Sequence, residues 1–232
     1  MRQRHWEFRA ASLADPPGVW SIDASEFPKK GEHSVAVAPQ YCGALGKTAH
    51  CQSGVFICCA SPQGHTLLEA RLSVPQCWFT GAQAERRKER RIPEDLKFQT
   101  KPELAAALGQ ARWSAKLFPG PWVACAVSFG NNEAFWAQWP AWLDDLAEIP
   151  CTRKGWLKQA PGHPELESDG GTVESLARTK ERLSWRSRKI AAGEKGPWVA
   201  SFARVRVCLS AERTPESERW LLLRNDPGGK IE

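Results

Sequence analysis

Three strand-like segments come before the first clear helix, and this order restricts the fold more than any other feature of the chain. Residues 19–22 form an apolar segment of the kind found in buried strands. Residues 51–60 and 65–74 are two further strand candidates, separated by turn-forming residues at positions 61–64. The chain is therefore predicted to begin with a strand that leads into an antiparallel meander.

A helix is predicted to begin just after Thr100. Thr100 and Glu103 have the spacing of a capping box, and Pro102 is tolerated in the first turn of a helix. Apolar residues then follow at helical spacing, namely Leu104, Ala105, Leu108 and Ala111. This pattern predicts a helix with one apolar face.

Residues 121–127 predict another buried strand, and a second helical pattern follows Asn131. The apolar members of that pattern are Phe135, Trp136, Trp139, Trp142 and Leu143. We expect this aromatic stripe to lie in the core, with Pro140 kinking or ending the helix. The order of strand, meander, helix, strand and helix predicts an α/β or α+β fold and does not distinguish the two.

A segment rich in proline, glycine and acidic residues, 159–174, separates this first part from two later strand-like runs, 198–209 and 220–223. No apolar run is long enough to span a membrane, and the N-terminus lacks the apolar region of a signal peptide. We therefore expect a cytoplasmic protein. The net charge of +6 favours a polyanionic partner, although many proteins that never bind nucleic acid have a similar charge.

The eight cysteines do not have the spacing of a metal site. No pair has the C-x-x-C pattern, and no histidines accompany them at ligand spacing. Cys58 and Cys59 lie inside an apolar run, where cysteine behaves as a small hydrophobic residue. The thiols are therefore expected to be reduced and mostly buried, without zinc.

Asp23 directly follows the first apolar segment, and a carboxylate held by a strand is a suitable ligand for a hard divalent cation. Taken alone, it is more often a turn residue. The surrounding segments, S-I-D-A-S-E-F-P-K-K-G at 21–31, P-Q-Y-C-G-A-L-G-K at 39–47 and C-Q-S-G-V-F at 51–56, closely resemble bacterial insertion-sequence transposases of the DDE superfamily. Later segments at 72–78, 92–105, 193–197 and 219–224 resemble the same family in the same order.

This resemblance implies an α/β fold of the ribonuclease H-like type, in which helices flank a mixed sheet, with a β-rich insertion. Residues 1–18 are then a short N-terminal remnant, 19–150 the ribonuclease H-like core, and 151–232 a linker and the β-rich insertion. The family's third acidic residue has no match before the chain ends at Glu232. We therefore expect the domain to be incomplete at its C-terminus.

In the family, three acidic residues hold two divalent metal ions, Mg²⁺ or Mn²⁺, which activate the attacking oxygen and stabilise the leaving oxygen. Asp23 matches the first of these acids and is thus the catalytic and metal-binding residue that the resemblance transfers. Ala126 occupies the position of the second acid. Because alanine offers no oxygen ligand, we expect poor metal binding and no catalysis in this copy.

The resemblance also implies DNA, in the form of transposon ends, as the partner. Lys29, Lys30, Lys47 and Lys101 lie in the matching segments and are candidates for phosphate contacts, or else ordinary solvated lysines. The predicted function is that of a transposase by descent, with DNA cleavage and strand transfer expected to be lost. The alternatives are a DNA-binding remnant that interferes with an intact transposase, and an inert relic. Partners other than DNA are a second copy of this chain, in a homo-oligomer, or an intact transposase.

Overall fold

The computed structural model describes residues 2–13, 18–31, 33–114, 120, 122–140, 142–157, 170–178, 183–193, 196–209 and 218–225. The chain divides into two compact units, Met1–Ile149 and Pro150–Glu232. Most of the predicted linker, residues 158–169, lies outside the described residues, as does the C-terminal end from 226 onward. The protein is a mixed α/β structure in which strands of both orientations combine with helices.

The N-terminal unit is built on a six-stranded mixed sheet. Its strands are β1 (Val19–Pro28), β2 (Ala38–Cys42), β3 (Lys47–Ser61), β4 (Gly64–Ser73), β5 (Trp122–Cys125) and β6 (Asp144–Ala147). The predicted meander is present, because β3 pairs antiparallel with both β1 and β4. On its other edge β1 pairs parallel with β5, and β5 pairs parallel with β6.

The helices of this unit are α1 (Arg2–Leu13), α2 (Ala84–Glu89), α3 (Lys101–Trp113), α4 (Val127–Gly130) and α5 (Glu133–Trp136). The predicted capping box is confirmed, because Thr100 and Glu103 exchange side-chain and backbone hydrogen bonds at the start of α3. Leu104, Ala105 and Leu108 of the predicted apolar face are buried, and α3 packs against β3 and β4. Ala111 is exposed, so its assignment to the apolar face is wrong.

The predicted aromatic helix is only partly correct. Phe135 and Trp139 are buried in the core, but α5 ends at Trp136, before Pro140, and turns replace the rest of the helix. Trp142 is 65% exposed, so the prediction that it lies in the core is wrong. The ring of Trp139 packs directly on Gly109 of α3, where a Cβ atom would lie 2.2 Å from a ring carbon. This close contact fixes how the aromatic segment lies against the helix.

The core lies between the sheet and α3, and α1 contributes to it. Trp20 and Ile22 of β1 point into this core, and the Trp20 ring meets Trp113 edge-on at 4.8 Å between centroids. Leu13 at the end of α1 is buried in the same cluster, and Arg112 of α3 lies over the Trp6 ring at 3.9 Å. The N-terminal residues are thus part of the core packing.

The other face of the central strands is partly open. Side chains alternate along a strand, so Val19 of β1, Trp122 of β5 and Leu146 of β6 share the face opposite to the core. They are 39%, 43% and 51% exposed. This open apolar face is also the one on which Asp23 lies.

The C-terminal unit contains β7 (Lys154–Leu157), β8 (Gly171–Thr172), α6 (Val173–Arg178), β9 (Arg186–Gly193), β10 (Gly196–Cys208) and β11 (Glu218–Asn225). The strands form one sheet in which β10 pairs antiparallel with β7, β9 and β11. The predicted strand-like runs at 198–209 and 220–223 correspond to β10 and β11. The sequence interpretation did not identify β9, whose apolar content is low.

Candidate functional site

Asp23 lies at the point where the parallel part of the sheet ends. The pairing of β1 with β5 runs from Val19–Trp122 to Ile22–Cys125 and stops one residue before Asp23. The sequence suggested that the strand ends at Asp23, and this is wrong. β1 continues to Pro28, paired with β3. The Asp23 side chain is exposed, and its Oδ1 accepts a hydrogen bond of 2.7 Å from the Ala24 backbone N–H.

Ala126 is the immediate neighbour of Asp23 on the next strand. The register that pairs Ile22 with Cys125 brings Asp23 level with Ala126, and the Ala126 N–H donates to the Ile22 carbonyl at 3.4 Å. In a parallel pair, residues that are level with one another point to the same face. Alanine therefore occupies the position level with Asp23 on the neighbouring strand, and its side chain, which packs partly against the core cluster, offers no oxygen atom.

Glu148 continues this row on the third strand. It directly follows β6, and its N–H donates to the Cys125 carbonyl at 3.0 Å, which brings Glu148 level with Ala126. Two strand spacings, about 10 Å, separate its backbone from that of Asp23. Sequence reasoning missed this residue, although an acid directly after a short strand is the same signal that singled out Asp23.

The other downstream acids are less well placed. Asp144 begins β6 and is level with Val19 of β1. Val19 lies four residues before Asp23, so Asp144 is about 13 Å from Asp23 along the strand direction. Glu133 is the first residue of α5, which follows the one-turn helix α4. The structure therefore brings together the row Asp23, Ala126 and Glu148, with the central position apolar.

Cys125 does not supply the missing ligand. Burial, together with the nearby carboxylates of Asp145, Glu148 and Asp23, raises the pKa of its thiol from 9.0 to about 12. The thiol therefore stays protonated at neutral pH, and thiolate is the form that binds metals. Its side chain also belongs to the core.

Lys101 is held in an ion pair on the core side of the sheet. Its Nζ lies 3.0 Å from Glu26 Oε1, which also accepts a hydrogen bond of 3.1 Å from Ser53 Oγ. Burial opposes ionisation of Glu26, but the hydrogen bond and charge of Lys101 outweigh it and keep the Glu26 pKa below its ordinary value. Because β1 alternates, Glu26 and Asp23 are on opposite faces of the strand.

The other three candidate lysines are exposed, but they lie far from Asp23. Lys29 follows the end of β1, six residues or about 20 Å along the strand direction, and Lys30 lies one residue further. Lys47 begins β3, nine residues or about 30 Å from Phe56, the residue opposite Asp23. The structure thus separates these cations from the aspartate.

Comparison with protein families decides which family the chain belongs to. A family model described as DDE superfamily endonuclease matches residues 1–200, most of the chain. This protein belongs to the DDE superfamily of endonucleases. No curated protein matches the chain. The family acts on DNA and is related to transposases, which agrees with the resemblance seen in the sequence.

DDE superfamily endonucleases generally use divalent metal ions, but the described part of this family member shows no metal site. Among the described residues, no group of three or more histidine, cysteine, aspartate or glutamate side chains is arranged to hold a metal ion. Alanine at position 126, level with Asp23 along the sheet, supplies no oxygen ligand of the kind that hard cations need.

The DDE-family chain also has no helix long and apolar enough to cross a membrane within the residues that the structure describes. Its eight cysteines are free, as predicted, and five of them are buried. Burial also raises the pKa of the Cys58 and Cys59 thiols above their ordinary values.

Proposed function

We propose that this protein is a transposase-family DNA-binding protein that does not cleave DNA. The observation that carries the proposal is the register of β1 and β5, which puts Ala126 beside Asp23. Two-metal phosphoryl transfer needs carboxylates that share metal ions at one position. Asp23 and Glu148, separated by Ala126 and about 10 Å apart at the backbone, do not share one position, so no catalytic step is assigned to this chain.

The order of strands in the N-terminal unit supports a ribonuclease H-like core. The sheet runs β4, β3, β1, β5 and β6 from one side to the other, with β3 antiparallel to β1 and with β1, β5 and β6 parallel. In this arrangement Asp23 and Ala126 lie where the parallel pairing of β1 and β5 ends, at the edge where open α/β sheets commonly hold their ligands. Asp23 is accordingly the catalytic position that this copy keeps.

DNA binding is assigned to exposed basic residues of the N-terminal unit, Lys29, Lys30 and Lys47. Lys101 is excluded from this set because its ammonium group is bonded to Glu26. Contacts to phosphates need charge and exposure but no particular residue spacing, so these lysines fit sequence-independent binding. A protein that binds the ends of an insertion sequence without cutting them would compete with an intact transposase of the same element.

The inert relic is the second candidate, and the open apolar face of Val19, Trp122 and Leu146 favours it. Exposed apolar surface of this kind destabilises a folded protein or promotes aggregation. A thermal melt with dye binding separates the two candidates. A cooperative transition with little dye fluorescence before melting supports the folded DNA-binding protein, and strong dye fluorescence at low temperature supports the relic.

The catalytic part of the proposal is tested with supercoiled plasmid and with duplexes that carry candidate element ends, in Mg²⁺ or Mn²⁺. We expect no nicking above that of the Asp23→Asn variant. Metal-dependent nicking that disappears in both Asp23→Asn and Glu148→Gln would refute the proposal, because it would show that these two acids form a working site across Ala126. Preparing all three proteins in parallel controls for contaminating nucleases.

The binding part is tested by fluorescence anisotropy of a labelled duplex across a series of salt concentrations. Phosphate contacts give a linear fall of log affinity with log salt concentration. We expect the Lys29→Ala, Lys30→Ala double variant to bind more weakly and with a smaller slope. A matched control is Lys88→Ala with Lys97→Ala, which removes two exposed charges from another part of the same unit.

A further inference from the structure

The outer face of the sheet in the C-terminal unit carries arginines and aromatic residues together. Strands β10 and β11 pair so that Arg204 is opposite Leu222 and Arg206 is opposite Trp220. On the other edge of β10, Phe202 is opposite Arg186 of β9. By strand alternation these side chains share one face. This arginine face is defined by Arg186, Phe202, Arg204, Arg206, Trp220 and Leu222.

The opposite face of the same strands is the buried one. Ala203 and Val207 of β10 and Leu221 and Leu223 of β11 are all less than a tenth exposed. The arginine face, in contrast, presents Trp220 at 54% and Leu222 at 49% exposure, and its arginines on β9 and β10 are exposed. The buried apolar side chains thus lie on the inner face, and Arg204 and Arg206 extend from the outer face together with exposed apolar residues.

The indole of Trp220 holds two guanidinium groups of this face. The Cζ atoms of Arg204 and Arg206 lie 4.8 Å and 4.6 Å from the centroid of the ring. Arg206 also forms an ion pair of 3.6 Å with Glu218, but its side chain stays 48% exposed, whereas that of Lys101, paired with Glu26 at 3.0 Å, is 29% exposed. Cation–π contacts of this geometry restrict the long side chains without neutralising their charge. Less conformational entropy is then lost when these groups bind an anion.

The three strands also concentrate positive charge. Strands β9, β10 and β11 contain seven basic residues, Arg186, Arg188, Lys189, Arg204, Arg206, Arg219 and Arg224, and one acidic residue, Glu218. Seven minus one gives a net charge of +6 for these strands, which equals the net charge of the whole chain. The rest of the protein is therefore neutral in sum, and the electrostatic attraction for a polyanion is centred on this sheet.

We propose that the arginine face is a second DNA-binding surface, which contacts the phosphate backbone of duplex DNA independently of the Asp23 edge. Guanidinium groups fit phosphates through two parallel hydrogen bonds, and a sheet face with several of them fits a backbone rather than a single small anion. This inference rests on the proposed function for the choice of DNA as the polyanion. It goes beyond that function by assigning the main electrostatic contact to the C-terminal unit.

The test compares the full chain with the double variant Arg204→Ala, Arg206→Ala in the anisotropy titration with a duplex of random sequence. Each phosphate contact contributes about 0.9 to the slope of log affinity against log salt concentration, so losing two contacts should reduce the slope by about 1.8. We expect affinity to fall on the order of tenfold or more at physiological salt. The variant Arg204→Lys, Arg206→Lys keeps the charge and should retain most of the slope.

The matched control is Lys154→Ala, Arg178→Ala, which removes two exposed charges of the same unit outside β9–β11 and should leave the binding nearly unchanged. Far-UV circular dichroism and thermal melts check that each variant is folded. If the Arg204→Ala, Arg206→Ala variant does not fold, it is replaced by the Arg204→Lys, Arg206→Lys variant with Arg186→Glu added. The slope of this triple variant is then compared with that of the Arg204→Lys, Arg206→Lys variant.

Three results would overturn the inference. The first is a slope that is unchanged in the arginine variants but reduced in the Lys29, Lys30 variant, in which case the proposed DNA binding stands and only the arginine face is excluded. The second is a folded full chain that fails to bind any duplex at low salt, which refutes both. The third is tighter, arginine-dependent binding to phosphatidylserine vesicles than to DNA, which would assign the face to a membrane surface.

Discussion

Replacing Ala126 with aspartate should create a repulsive carboxylate pair that a divalent cation relieves. The β1–β5 register puts the new side chain level with Asp23 on the same face, at a strand spacing of about 4.8 Å. Two unit charges at that separation repel by about 0.9 kcal/mol in bulk water and by about 3.5 kcal/mol at the lower dielectric of a protein surface. Because Asp23 is exposed, we expect a value near the lower figure.

The Ala126→Asn variant is the matched control. Ala126 is the N-cap of α4, with φ −70° and ψ 166°, so aspartate and asparagine can both cap this helix. The difference between the two variants therefore isolates the charge. For a chain of this size, about 1 kcal/mol corresponds to a melting temperature of Ala126→Asp about 2–4 °C below that of Ala126→Asn at low salt.

The assay is thermal melting of both variants with and without Mg²⁺, Mn²⁺ or Ca²⁺. Because two carboxylates can share one hard cation, we expect the metal to raise the melting temperature of Ala126→Asp and to leave that of Ala126→Asn unchanged. DNA cleavage should not return, because Glu148, the other acid of this row, lies two strand spacings, about 10 Å at the backbone, from Asp23. Equal melting temperatures and no response to metal would refute the register argument, and metal-dependent cleavage would show that Glu148 or another acid completes the site.

Three further predictions concern stability and the thiols. Gly109→Ala should destabilise the protein by about 1–2 kcal/mol in chemical denaturation, because the clash with Trp139 outweighs the gain of about 1 kcal/mol in helix propensity; a stabilised variant would contradict the packing. In the native state, Cys77 and Cys151 should react rapidly with a thiol reagent and the buried cysteines should react only on unfolding, which counting the fast-reacting thiols will check. Because the Cys125 thiol has its pKa raised from 9.0 to about 12, the unfolded chain loses this proton first as pH rises. Below about pH 9 this group does not change the stability of the wild-type protein. Between about pH 9 and 12 the free energy of unfolding of the wild type should fall more steeply with pH than that of Cys125→Ala, by up to about 1.4 kcal/mol per pH unit. Parallel slopes for the two proteins would contradict this.

Local sequence signals predicted the elements whose cause is local. The capping box of Thr100 and Glu103 depends on residues three apart, and it starts α3 as the pattern indicated. The strand and hairpin signals of residues 51–74 likewise correspond to β3 and β4. The aromatic segment was less predictable, because helical spacing of apolar residues does not by itself make a helix. There, α5 ends at Trp136, and Trp139 reaches the core from the turns that follow, where its ring packs on Gly109.

The family resemblance likewise depended on the sequence alone, and so did the identity of the residues at positions 23 and 126. The tertiary structure decided what surrounds them. The parallel register of β1 and β5 makes Ala126 the neighbour of Asp23 and brings Glu148 level with both. Strand alternation puts Lys101 with Glu26 on the opposite face.

The arginine face was also beyond the reach of the sequence pattern. The pairing of Arg204, Arg206 and Trp220 joins residues of two strands, and β9 was not recognised as a strand at all. Caps and periodicities depend on residues within one turn or one strand, so the sequence determined them. Register and facing depend on which distant segments pair, because a shift of one residue moves every side chain of a strand to the other face, and only the folded chain decides that.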